Sequence, residues 1–169
     1  ANKLGLESLI LLNNKSTLKL QELTDDTQRF FEKLPGYDTL RLLLCKKAIL
    51  VEGDSDELVV QKAYMVNNSG KLPIEDEIDV ISVGTSFLRF LEIAEKLKMK
   101  VAVVTDNDGD VVALEKKYSN FLGHNKKENI DIFFDKEVDT GRDTDFNYNT
   151  LEPKILKKNG VLKLNTILG

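Results

Sequence analysis

The sequence predicts an α/β fold: three layers around a mainly parallel sheet. Two apolar runs stop abruptly at acids, Ala48-Ile49-Leu50-Val51 before Glu52-Gly53 and Val101-Ala102-Val103-Val104-Thr105 before Asp106. A short continuous apolar run bounded by turn signals reads as a buried strand. Helical spacing fills the intervals between these runs and two others, at 78–83 and 130–134. Strand and helix in alternation imply right-handed crossovers and helices on both sheet faces. At 169 residues, 41% hydrophobic and 31% charged, the chain is about one domain with core enough to need no staples.

Taken in order, 8–13 predicts a short strand and Thr17-Leu18-Lys19-Leu20 a half-exposed partner, with Asn13-Asn14-Lys15 as the hairpin turn. Thr24 is placed to cap a helix over 25–34, with Asp25 and Asp26 at its positive end. Pro35-Gly36 breaks it, and 38–45 predicts a second short helix. The first core strand begins at Lys47. After it, Asp54 with Glu57 three residues on forms a capping-box pair, opening a helix to about Asn67. A loop from Pro73 to Glu77 leads to the strand at 78–83. Gly84-Thr85-Ser86 turns into a helix reaching Lys98, where Leu88 and Leu91 mark the buried face and Glu95 the wet one. The strand ending at Asp106 precedes a helix over 111–121, stopped by Gly123 and His124. The strand at 130–134, an irregular polar stretch at 139–149 and a helix from Thr150 to Lys158 complete the order, with Pro153 in that helix's first turn.

Charge and cysteine content narrow the class. The net charge is −4, whereas a free-standing nucleic-acid binder shows a basic excess or face. The lysine pairs, such as Lys46-Lys47 and Lys126-Lys127, are scattered among acids. Action on a polyanion would therefore need metal ions or another part of a longer protein. Cys45 stands alone, which excludes an intrachain disulfide and fits a reducing compartment. No apolar run approaches membrane-spanning length, so the expected location is the cytoplasm. The absent initiator Met and the amphipathic end at 162–169 make a piece of a longer protein the expectation.

The acids carry the chemistry. In open α/β sheets, ligands gather beyond the carboxyl ends of parallel strands, and two such ends deliver Glu52, Asp56, Asp106 and Asp108 to one edge. Each acid has a plain structural alternative. Glu52 can accept nearby backbone N–H groups, Asp54 can cap a helix, Asp56 and Glu57 can complement its dipole, and the 106–110 run can be a solvated turn held by Asx bonds. An EF-hand is excluded: counting from Asp106, Gly109 falls at position 4 and Lys117 at position 12, where that loop needs glycine at 6 and glutamate at 12. Jointly the acids are harder to dismiss, because crowded carboxylates repel and raise one another's pKa. A divalent cation relieves that repulsion. Oxygen donors without a His or Cys cluster point to Mg²⁺ or Mn²⁺. His124 reads as a helix C-terminal residue.

Glu52-Gly53 after one hydrophobic strand and Asp106-x-Asp108 after a later one resemble the Toprim domain. Topoisomerases, bacterial primases and several nucleases share that Rossmann-like three-layer fold. The form Glu52-Gly53-x-Ser55-Asp56 is similar to the OLD (overcoming lysogenization defect) ATP-dependent endonucleases, in which a Toprim nuclease follows an ABC-type ATPase. The segments 2–12 and 40–44 resemble the corresponding family stretches, and Thr150-x-Glu152 resembles the family's Ser/Thr-x-Glu metal motif.

This resemblance implies that residues 1–45 form a connector of hairpin and helices after an ATPase, and that 46–169 form the nuclease domain. It implies metal ligation by Glu52, Asp106 and Asp108, with Asp56 and Glu152 completing a two-metal site, Thr150 assisting, and Asp110 outside the ligands. The family also places a lysine well downstream of its Ser/Thr-x-Glu motif, and this chain extends 17 residues beyond Glu152. The expected activity is Mg²⁺- or Mn²⁺-dependent cleavage of DNA phosphodiester bonds, with ATP entering only through the ATPase domain. Expected partners are DNA, that ATPase domain and a second copy of the chain, with no membrane. Two rivals remain. One is a haloacid-dehalogenase-type phosphatase with Asp106 as nucleophile, which leaves Glu52-Gly53 unexplained and finds Asp110 where that family has threonine. The other is a non-catalytic, metal-stabilised interaction module.

Overall fold

The computed structural model describes residues 10–13, 16–33, 41, 45–141 and 148–168. A two-stranded antiparallel hairpin, β1 (Ile10–Asn13) and β2 (Ser16–Lys19), leads through a 3-10 turn to helix α1 (Asp25–Lys33). Then come β3 (Lys47–Val51), α2 (Asp54–Asn67), β4 (Ile78–Ser82), α3 (Phe87–Leu97), β5 (Lys100–Val104), α4 (Val111–Lys117), β6 (Ile130–Phe133), α5 (Leu151–Asn159) and α6 (Val161–Leu168). The four strands β3 to β6 form one wholly parallel sheet in the order β4-β3-β5-β6. The predicted α/β class and parallel sheet are observed.

That order fixes where a ligand belongs. From β3 the chain steps outward to β4, then returns across β3 to β5 and continues to β6. Right-handed crossovers put α2 on one face and α3 and α4 on the other. The winding reverses between β3 and β5, and at such a switch the helices diverge and open a crevice beyond the strand ends.

The core lies mainly on the α3 face. Ala48, Leu50, Val101 and Val103 pack there with Phe87, Phe90, Leu91, Ala94 and Leu97. The alternation explains it: in β5, Val101 and Val103 are buried while Ala102 and Val104 are half-buried. The hairpin and α1 close this layer. Glu92 of α3 accepts from the Thr24 N–H at 2.7 Å and from the hydroxyls of Thr24 and Thr27 at 2.8 and 2.5 Å. The Phe30, Phe31 and Phe90 rings meet edge to face beside it. On the other face α2 packs on β3 and β4 without burying any residue fully. Arg41 supports that side, bonding Asp79 through Nε and Nη2 at 3.1 and 2.8 Å and the Val80 carbonyl at 2.7 Å.

Several expectations need correction. The cap of α2 sits one residue earlier than the Asp54–Glu57 pairing and is one-sided: Gly53 is the cap residue, with no side chain to give, and Asp56 accepts its N–H at 2.9 Å. Asp54 is simply the first helical residue. The helix expected over 111–121 ends at Lys117, after which Tyr118, Phe121 and a 3-10 turn at Gly123–Asn125 carry the chain. Tyr118 and Phe121 are buried, so packing on the core outweighs continuation of the helix. His124 consequently lies in that turn and not in a helical last turn. Leu88 is 43% exposed, while Leu91 takes the core position. The 13–15 turn, the 35–36 break, most of the 38–45 helix and residues 142–147 lie wholly or partly outside the described residues.

Candidate metal centre

β3 and β5 are neighbours, with Leu50 opposite Val103. Two residues further, the same register sets Glu52 beside Thr105, one residue short of Asp106. Glu52's backbone is fixed from the other flank, where its carbonyl accepts from the Gly84 N–H at 3.0 Å and the Ser82 hydroxyl at 3.1 Å. The acids Glu52, Asp56, Asp106 and Asp108 therefore belong to one edge, at the switch in winding.

Their charges feel one another. Burial, then the charge of Asp108 and of Asp56, raises the Glu52 carboxyl, while Lys117 opposes the rise. Burial pushes Asp106 up to about 6; Asp56 and Asp108 add to this, and the Leu151 N–H and Lys154 oppose it. Burial, with like charge close by, raises a carboxyl in this way.

Three of the acids also have a polar partner from the backbone or a neighbouring helix. Asp106 Oδ2 accepts the N–H of Leu151, the first residue of α5, at 3.1 Å. Asp56 Oδ2 accepts from Gly53, and Glu152 Oε1 accepts from the Ser55 hydroxyl at 2.9 Å. The Thr150-Leu151-Glu152 segment is thus brought to the strand ends from far along the chain, with Thr150 as the cap of α5 and its side chain making no cap hydrogen bond. Among the described residues no three His, Cys, Asp or Glu side chains stand close enough to clasp one ion. The donors are all hard oxygens, which fits Mg²⁺ or Mn²⁺ in kind; Asp106, Asp56 and Glu152 are each held through one oxygen by an N–H or O–H group.

The 106–110 turn is rigid. Asp108 and Gly109 have φ of 50° and 83°, and an added Cβ at Gly109 would meet Asn149 Nδ2 at 3.0 Å. Buried Asn107 donates to the carbonyls of Asp135 and Glu137 at 2.9 and 2.7 Å and accepts from the Gly109 N–H at 2.9 Å. Buried Asn149 binds the Asp139 N–H and carbonyl at 2.8 and 3.0 Å. Asp110 caps α4 through the Ala113 N–H at 2.9 Å. Sequence reasoning missed Asn107 and Asn149, and it named Ser55 only within the Glu52–Asp56 motif, not as the partner of Glu152. Asparagine at a strand-to-helix turn was the available signal for Asn107, and nothing local distinguishes Asn149.

Around this edge stand a lysine and a tyrosine. Lys117 holds its ammonium 5.4 Å from the Phe87 ring centroid and 5.2 Å from that of Tyr118. Tyr118 is wholly buried, and its hydroxyl finds no hydrogen-bond partner of good geometry although Thr105 lies beside it. Beyond the acids, α5 helps line an open cleft of about 440 Å³ with Asp135, Asp139, Tyr148, Lys154 and Lys157. Lys154 pairs with Asp135 at 2.6 Å and Lys157 with Asp139 at 3.3 Å.

Residues 43–108 match the family model of the overcoming lysogenization defect protein-like TOPRIM domain. No curated protein and no solved structure gave a match. The matched span contains Glu52, Asp56, Asp106 and Asp108 and stops before Thr150 and Glu152. TOPRIM domains bind divalent metal ions and act on nucleic acids as nuclease- or primase-type domains. No described helix is long and apolar enough to cross a membrane. Strands β3, β4 and β5, with their acids at the winding switch, lie in the segment the family model covers, so residues 43–108 are similar to the TOPRIM domain of overcoming lysogenization defect protein-like proteins.

Proposed function

We propose that this domain hydrolyses DNA phosphodiester bonds as the nuclease part of an OLD-type ATP-dependent endonuclease. The observation that carries the reading is the shared field of Glu52, Asp56, Asp106 and Asp108 at the β3–β5 switch, inside the matched span. Glu52, Asp106 and Asp108, with Asp56 and Glu152 and the help of Thr150, would hold two divalent cations. Such ions, when bound, lower the pKa of water and stabilise the leaving oxygen of an in-line displacement. The chain's own part is positional. β3 and β5 set the spacing of the acids, the asparagine-pinned turn fixes Asp106 and Asp108, and α5 brings Glu152 in from downstream. Residues 46–169 serve as the catalytic unit, and 1–45 connect it to an ATPase domain of the same chain.

The test is a thermal-shift titration with Mg²⁺ and Mn²⁺, paired with nicking of plasmid DNA. An ion that binds only the folded state adds about 2.7 kcal/mol at a hundredfold excess over its Kd, so Tm rises in wild type and stays flat in Glu52→Gln and Asp106→Asn. Flat curves in wild type with both metals overturn the site. Turnover of a simple phosphomonoester that Asp106→Asn abolishes would replace the nuclease with the aspartyl-phosphate chemistry of the phosphatase rival.

A further inference from the structure

We propose that Lys117, carried on the faces of Phe87 and Tyr118, anchors a non-bridging phosphate oxygen of the nucleic acid beside the carboxylates. This rests on the metal-dependent reading above and names the residue that meets the substrate's own charge.

The placement comes from three elements. Phe87 opens α3 directly after the loop whose Gly84 N–H binds the Glu52 carbonyl, so it belongs to the same sheet edge. Lys117 closes α4, the helix that leaves the 106–110 turn. Tyr118 follows it into the core, with Thr105 of the β5 end as its polar neighbour. The two rings thus fix a cation on the same edge as Glu52.

The manner of holding matters. Lys154, Lys157 and Lys158 line the α5 cleft; the first two are paired with Asp135 and Asp139, and a phosphate there would have to displace those carboxylates. Lys117 enters no ion pair among the described residues and is steadied by ring quadrupoles instead. A cation–π contact orients the ammonium without neutralising it, and the residue is exposed. The simpler reading is a lysine in the last turn of a helix that complements the dipole. That role predicts a small stability effect and nothing at the metal.

The two roles differ in sign. A cation beside Glu52 repels a metal ion but attracts a phosphate. In Lys117→Met, Mn²⁺ measured by isothermal calorimetry should bind roughly two- to fivefold more tightly, the scale of losing one partly exposed charge. Anisotropy of a short fluorescein-labelled DNA duplex at saturating Mn²⁺, read before turnover, should show weaker binding, with the log–log salt slope smaller by about one. Lys117→Arg, which keeps the charge and stacks on the same rings, should restore both DNA affinity and slope. Mn²⁺ and DNA affinities that are unchanged in Lys117→Met, or that fall in parallel, overturn the inference while leaving the metal site standing. Wild-type protein that takes up no Mn²⁺ overturns the metal-site reading itself, and the inference with it.

Discussion

Asp106 Oδ2 and the backbone N–H of Leu151 are 3.1 Å apart, across 45 residues of chain. This bond joins the end of the central strand β5 to the positive end of α5. The carboxylate takes over work that the Thr150 side chain leaves undone, and a negative charge there is favoured by the helix dipole. The Leu151 N–H at the head of α5 is the strongest influence holding the Asp106 carboxyl down, yet burial still pushes it up to about 6.

That elevation sets a pH signature. A carboxyl whose folded-state pKa exceeds its unfolded value binds more protons when folded, so its ionisation destabilises the fold as pH rises from about 4 through about 6. Asp106→Asn keeps an acceptor for the Leu151 N–H and removes the charge. In EDTA the variant should therefore be more stable than wild type at pH 7, with the gap closing as pH falls through 6 toward 4. Denaturant melts at a series of pH values measure it, and comparing variant with wild type cancels Asp135 and Asp139, whose lowered pKa values run the opposite way. A gap independent of pH would mean Asp106 is not strained by its surroundings.

Asp56 combines a helix cap with a candidate ligand, and two substitutions separate these. Its Oδ2 accepts the Gly53 N–H at 2.9 Å. Asp56→Ala removes the cap and should cost about 1 kcal/mol of metal-free stability. Asp56→Asn retains a carbonyl oxygen for that N–H and should lose clearly less. Both should weaken Mn²⁺ binding, because both lose the charge. Full Mn²⁺ affinity in either variant would reduce Asp56 to a capping residue.

How much of this was legible in the sequence depended on distance along the chain. Strands β3 and β5 announced themselves because both lie in the sheet's centre and read as unbroken apolar runs. The acids at their ends followed from the same segments. The cap register at α2 was misplaced by one residue, since Asp54-Ser55-Asp56-Glu57 offers several cap arrangements that only the backbone direction leaving Val51 resolves. The end of α4 was placed late because Tyr118 and Phe121 fit a helical period yet are drawn into the core instead. Ser55 with Glu152, 97 residues apart, and Asn149 beneath Gly109 are contacts of the folded chain alone. Thr150 and Glu152 could be linked to the acids beforehand only through family resemblance.

Gly109 is the hinge of the acidic turn and should tolerate no side chain. Its φ of 83° is unfavourable for an L-residue, and a Cβ would press on Asn149 Nδ2 at 3.0 Å. Gly109→Ala should lower stability by about 1–2 kcal/mol from the backbone term alone. It should also loosen Asn149 from Asp139, seen as faster amide exchange at Asp139. Unchanged exchange there would show that Asn149 holds its place without the turn.

Tyr118 predicts a gain where most core substitutions lose. Its hydroxyl is fully buried with no partner of good geometry, and a buried unsatisfied polar group costs roughly 1–3 kcal/mol. Tyr118→Phe keeps the ring that packs on Phe87 at 6.3 Å and discards only the oxygen. The variant should melt no lower than wild type and, in metal-free buffer, somewhat higher. Thr105 is the control, being the polar side chain beside that hydroxyl: in Thr105→Val the hydroxyl keeps its isolation, so Tyr118→Phe should gain as much in that background as in wild type. A fall in Tm for Tyr118→Phe that disappears when Thr105 is already valine would instead reveal a working Tyr118–Thr105 hydrogen bond.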